Sequence, residues 1–127
     1  MVDKAGRRPT DAELAILQVL WRIGSATVND IQAELQQIRP TGYTTVLKFL
    51  QIMLEKGLVT RDESQRSHVY TTTEQEQVTQ KSLVSDLAQR AFGGSTAKLV
   101  MQALSEESLS PADQTEIELL LKQMRGE

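Results

Sequence analysis

Apolar residues recur at helical spacing three times along this chain before the pattern changes. Leu14, Leu17 and Trp21 form the first stripe, widened by Ile16, Leu20 and Ile23. Just ahead of it, Thr10-Asp11-Ala12-Glu13 is a capping box: the Thr10 hydroxyl takes an orphan amide while Glu13 reaches back. Gly24 ends this helix. A second, capped by Thr27, lines up Val28, Ile31, Leu35 and Ile38. Arg39-Pro40-Thr41-Gly42 breaks it, because proline disfavours helix in the residue before it and glycine permits a turn. A third helix is predicted from Tyr43 to Lys56, with Val46, Phe49, Leu50, Met53 and Leu54 buried and Gly57 as a left-handed cap.

After Gly57 the period changes. Leu58-Val59-Thr60-Arg61 and His68-Val69-Tyr70-Thr71-Thr72 are short and rich in β-branched residues, and they flank a polar stretch from Asp62 to Ser67. That pattern predicts a hairpin with a charged tip. Tyr70 is expected to pack beneath it, Trp21 to lie in the core and His68 to be a half-exposed strand residue. The last third returns to helix. Thr73-Glu74-Gln75-Glu76 repeats the capping box ahead of a long fourth helix marked by Val84, Leu87, Ala88 and Ala91 and ended by Gly93-Gly94. Ser95 caps a short fifth helix, and Ser110-Pro111 opens a sixth with proline at its first position. Three helices, a two-stranded wing and further helices make a mainly α fold. The expected organisation is a winged helix-turn-helix over 1–72, with a short mobile basic arm (Lys4, Arg7, Arg8), and a helical dimerisation domain over 73–127.

Composition narrows the chemistry. With 39% hydrophobic and 24% charged residues among 127, a packed core is attainable. No apolar run approaches the roughly 18 residues that would span a bilayer, and MVDKAGRRPT lacks the apolar stretch of a signal peptide, so no membrane insertion and a cytoplasmic location are expected. The chain has no cysteine and one histidine, His68, which removes disulfides, thiolate metal sites and paired-histidine zinc sites. Glu106-Glu107 and Glu116/Glu118 have no partners for metal binding or acid–base work, and no phosphate-binding glycine loop or nucleophile elbow is present. The expectation is a non-enzyme with no cofactor and no metal. The formal net charge of −3 conceals an asymmetry: residues 1–72 hold nine Lys/Arg against eight Asp/Glu, and residues 73–127 hold five against nine. Two parts with different tasks would produce this split, as would ordinary variation in surface charge.

The third helix carries the candidate chemistry. Opposite its apolar stripe lie Thr44, Lys48, Gln51 and Glu55, with Tyr43 and Thr45 beside its start. A DNA-reading helix needs this division, since its first residues reach base edges while the other face holds it to its neighbours. Hydroxyls and free amides suit phosphate oxygens, and Lys48 could bond a guanine or a phosphate. The hairpin tip adds Arg61, Arg66, Ser67 and His68 as candidate phosphate contacts. A plain solvated face and a solvated loop are the competing readings. Two other functions remain open: a winged-helix module that binds a protein through the same face, and a ligand sensor with a pocket between the C-terminal helices, where no polar cluster lines the core positions.

Pro9-Thr10-Asp11-Ala12-Glu13-Leu14, Leu20-Trp21, Tyr43-Thr44-Thr45-Val46 and Lys56-Gly57-Leu58-Val59 together resemble the BlaI/MecI family of penicillinase repressors. The resemblance runs over nearly the whole chain, including the wing ending in Tyr70 and the Gly93-Gly94 break. It implies a homodimeric repressor that binds a palindromic double-stranded DNA operator. It also implies contacts from Thr41, Tyr43, Thr44, Thr45 and Lys48, with wing support from Arg66. Dimerisation would fall to the C-terminal helices, with Leu87, Leu99, Leu104, Ile117, Leu120, Leu121 and Met124 as the candidates. In antibiotic-responsive members a membrane sensor or protease acting upstream leads to cleavage of an Asn-Phe bond in the fifth helix. Here the matching pair is Gln102-Ala103, which departs from that specificity. The copper-responsive relatives carry paired cysteines, which this chain lacks.

Overall fold

Thr10 and Glu13 close a reciprocal cap at the start of α1 (Asp11–Ile23): the Glu13 amide donates to the Thr10 hydroxyl and the Thr10 amide donates to the Glu13 carboxylate. This is a computed structural model, and it describes residues 8–105 and 109–127. Lys4, Arg7 and the Glu106-Glu107 pair lie outside the described residues. Thr27 and Asp30 make the same reciprocal cap on α2 (Val28–Leu35). Gly42 precedes α3 (Tyr43–Lys56), and Gly57 ends it with φ 79 and ψ 20. That left-handed conformation is costly for any residue with a Cβ, so the glycine is what lets the chain turn from α3 into the wing.

The wing is an antiparallel pair, β1 (Val59–Asp62) and β2 (Val69–Thr72), in the register Val59 to Thr72 and Asp62 to Val69. His68 therefore stands just outside β2 and is exposed. A further bridge fastens the wing to the α1–α2 turn, where Ala26 and Tyr70 exchange both main-chain hydrogen bonds at 3.1 and 2.8 Å. Tyr70 is buried, as its place beneath the wing required.

Helix α1 packs on α2, α3 and β2, and α3 packs on α2 and β1, enclosing one core. Ile16, Leu17, Val19 and Leu20 meet Ile31 and Leu35, and Val46, Leu50 and Met53 close it from α3. Burying such side chains stabilises the fold by roughly 1.5–3 kcal/mol each. The stripes differ in detail from the sequence pattern. Trp21 is only partly buried against this core, because its indole N–H reaches out to the Glu74 carbonyl at 3.1 Å. Ile23 is exposed at the end of α1, and Ile38 is exposed because α2 stops at Leu35. Thr73 does not cap a helix: its hydroxyl donates to the Gly57 carbonyl at 2.7 Å, tying the foot of the wing to the end of α3.

Three helices follow, α4 (Glu76–Ala91), α5 (Thr96–Leu104) and α6 (Pro111–Met124). Ser95 caps α5, and Ser110 with Asp113 forms a reciprocal cap on α6, with proline in its first turn. The described residues fall into two compact units divided between Gln80 and Lys81, so α4 belongs to both. The first unit is a winged helix. In the second, Ala88 is the single buried residue among those described, and neither α5 nor α6 buries any side chain.

Candidate nucleic-acid interface

The entrance to α3 is built by side-chain amides from α2 and from its C-terminal cap residue, Gln36. Gln36 Nε2 donates to the Thr41 carbonyl at 2.9 Å and Gln32 Nε2 to the same oxygen at 3.3 Å. These two residues stand four apart on one helix face, which is the signal a sequence reading could have used and passed over. The Thr41 hydroxyl donates to the Arg39 carbonyl at 2.6 Å, so its hydrogen is spent inside the turn. Thr41 is half-buried and shapes the turn, with its hydroxyl turned toward its own backbone.

Gly42 then caps α3 in an extended conformation with no side-chain hydrogen bond. The first amides of α3 are left without an acceptor from the cap residue, and the positive end of the helix dipole goes unneutralised there. Around this end Tyr43, Thr44 and Thr45 are exposed, and Lys48, Gln51 and Glu55 continue the exposed face. Among the described residues Lys48 makes no ion pair. The structure therefore leaves Tyr43, Thr44, Thr45 and Lys48 exposed along the first turns of α3, with Thr41 half-buried in the turn before it. Leu47 also lies on the exposed side and was absent from both faces of the sequence pattern.

The wing separates its cations. Arg61 is paired across the strands with Tyr70 and held by the Glu63 carboxylate. The hydrogen bond to the Tyr70 oxygen, then that to Glu63, raises the Arg61 pKa above its ordinary value. Arg61 is thus engaged within the wing, while Arg66, Ser67 and His68 are exposed at the tip. The Asp62 carboxylate accepts the Ser64 amide at 2.9 Å. That bond and one from the Ser64 hydroxyl lower its pKa.

A shallow cleft of about 320 Å³ opens at the base of the wing between Trp21, Ser25, Thr71 and Gln75. Three of its polar groups are engaged: the Ser25 and Thr71 hydroxyls are 2.7 Å apart, and the Trp21 indole is bonded to the Glu74 carbonyl. Among the described residues no group of three or more acidic or histidine side chains is placed to hold a metal, and no helix is long and apolar enough to cross a membrane.

In the second unit Leu87, Leu104, Leu120, Leu121 and Met124 are exposed, and Leu99 and Ile117 are half-buried.

The penicillinase repressor family model matches residues 9–123. A penicillinase repressor of Bacillus licheniformis is 25% identical over 119 residues, covering 92% of this chain and 91% of that one. The transcriptional regulator BlaI of Mycobacterium tuberculosis is 29% identical over 105 residues, covering 81% of this chain and 76% of its own length. Among solved structures, the solution structure of the DNA-binding domain of the repressor BlaI superposes with a TM-score of 0.50 at 27% identity, over 55% of this chain and 85% of that domain. A match across nearly the full length, joined to a winged helix of the same architecture, leads to one conclusion: the chain belongs to the penicillinase repressor family.

Proposed function

We propose that this chain is a homodimeric transcriptional repressor that binds a palindromic operator in double-stranded DNA through α3 and the wing. One observation carries the reading: the uncapped start of α3, with Thr44, Thr45 and Lys48 exposed around it. Free amides and hydroxyls there meet phosphate oxygens, and the following turn reaches base edges in a major groove. Arg66 at the wing tip supports the backbone on the flank. The similarity to the DNA-binding domain of BlaI supports the same assignment.

On this reading dimerisation falls to the C-terminal helices, supported by the apolar residues exposed on α4–α6, with 1–72 and 73–127 as the proposed functional halves. Gln102 and Ala103 are both exposed on α5. Because they replace the Asn-Phe pair of the antibiotic-responsive relatives, release by that sensor-linked cleavage is not carried over to this chain.

Titration of duplex DNA against salt tests the proposal. Several phosphate contacts make the logarithm of the affinity fall linearly and steeply with that of the salt concentration. Lys48→Ala should lower this slope by about 1 if Lys48 meets a phosphate, or weaken one operator position by about 1–3 kcal/mol if it reads a base. Affinity unmoved on both counts would show that α3 faces something other than DNA, as in a protein-interaction module.

A further inference from the structure

Leu47 is an apolar side chain on the face of α3 that also presents hydroxyls, the Gln51 amide, the Lys48 ammonium and, at its far end, the Glu55 carboxylate. It is 41% exposed, and Tyr43, one turn earlier, is 46% exposed. The core does not include it: Val46, Leu50 and Met53 are the buried residues of α3, with Phe49 and Leu54 partly buried at the edges. Helix propensity does not call for it either, since glutamine, lysine or arginine would serve almost as well at an exposed helical position. Isolated surface leucines are common and need no explanation. What distinguishes Leu47 is its setting. At about 100° per residue it projects roughly 60° from Thr44, 40° from Gln51 and 100° from Lys48. It thus continues the arc from Tyr43 through the polar face, within the first turn and a half of the helix.

We infer that Leu47 is a specificity-determining residue that reads the 5-methyl group of a thymine in the major groove. The inference rests on the proposed DNA-binding function and deepens it. Of the groups on base edges in that groove, the thymine methyl is the apolar one, and an aliphatic side chain is its natural complement. Lys48, Thr44 and Gln51 supply donors and acceptors for the neighbouring edges, and Leu47 supplies none.

The test uses the full-length protein and a duplex it selects from a random-sequence pool. Each thymine of that duplex is replaced singly by deoxyuridine, which deletes the methyl group and leaves the hydrogen-bonding edges intact. Burying one methyl-sized group corresponds to about a fourfold change in affinity. The wild-type protein should lose about this factor at one thymine of a half-site. Leu47→Ala should bind the thymine and uracil forms of that position equally, and Leu47→Met should restore the preference. A Leu47→Ala protein that keeps the full thymine preference overturns the inference. So does a selected duplex in which no thymine-to-uracil change matters, or a preference that disappears with Tyr43→Ala instead. If the wild-type protein selects no sequence at all, the DNA-binding reading itself fails and takes the inference with it, an outcome visible before any variant is made.

Discussion

Lys56 Nζ donates to Glu13 Oε1 at 2.7 Å, and the same oxygen accepts the Thr10 amide at 2.9 Å. One carboxylate oxygen therefore closes the cap of α1 and fastens the last turn of α3 to it. The Glu13 side chain is only 3% exposed and that of Lys56 21%. A carboxylate so enclosed is tolerated because it is both hydrogen-bonded and paired.

Lys56→Met should accordingly destabilise the winged helix by about 2–3 kcal/mol, less than the loss of a fully buried partner because Lys56 keeps some contact with water. Glu13→Gln removes the charge and retains an oxygen for the Thr10 amide, so combined with Lys56→Met it should recover part of that loss. Urea denaturation of the two single variants and the double variant gives the coupling directly. Strictly additive effects would show that the ion pair contributes nothing beyond packing.

The start of α3 offers a variant whose two effects have opposite signs. Gly42 has φ −71, which any residue adopts, and a Cβ built there would meet nothing within 4 Å. The fold does not require a glycine at this cap. Gly42→Asp should raise stability by a few tenths of a kcal/mol, by capping an amide and opposing the helix dipole. The same carboxylate would stand where a phosphate is proposed to dock, so DNA affinity should fall for every sequence alike. A variant that gains stability and binds DNA as well as wild type would place the DNA backbone elsewhere.

These two sites show what the sequence could and could not disclose. Side-chain capping is local chemistry over four residues, so Thr10, Thr27, Ser95 and Ser110 are legible as helix starts, and Gly57 as a stop. Val46, Leu50 and Met53 were legible as core because a helix places them on one side. Non-local choices were not. Thr73 had the right neighbours for a cap, yet the Gly57 carbonyl lay within its reach and won. The sequence pattern groups Arg61 with the tip cations, whereas strand register sets it against Tyr70. In each case the deciding partner is a backbone or side-chain group whose position depends on the assembled fold.

The wing tip carries a measurable acid dependence. Asp62 ionises below its ordinary value of 3.8, chiefly because the Ser64 amide donates to it and secondarily through the Ser64 hydroxyl. Since the pKa is lowered on folding, the contribution to stability is present above the unfolded value and is lost as pH falls through the lower folded value. Carbon-detected NMR of the Asp62 carboxyl should give a midpoint below 3.8. Ser64→Ala should keep most of the depression, because the main-chain donor remains. A wild-type midpoint at or above 3.8 would mean that the turn does not persist in solution.

The second unit supplies the last expectation. Its helices bury one described residue, Ala88, while Leu120 and Leu121 are 56% and 40% exposed on α6. With 14 residues, α6 is close to the length at which an isolated helix is marginal in water, roughly 12–15 residues. Its apolar side gains from a surface that covers it, and in the proposed dimer a second copy of α4–α6 would supply one. Each Leu taken from exposed to fully buried contributes roughly 1.5–3 kcal/mol, so truncating two of them should weaken the proposed interface substantially. Leu120→Ala with Leu121→Ala should convert dimer to monomer in sedimentation while the winged helix keeps its own unfolding transition, since neither residue belongs to that core. Operator affinity should then fall steeply, because two half-sites gripped by linked domains profit from an effective concentration that separate domains lack. Both readouts belong on the same double variant. If it remains dimeric, the interface lies on another face of these helices. If it is monomeric and still binds the operator as tightly as wild type, the two winged helices act independently and a palindrome confers no advantage.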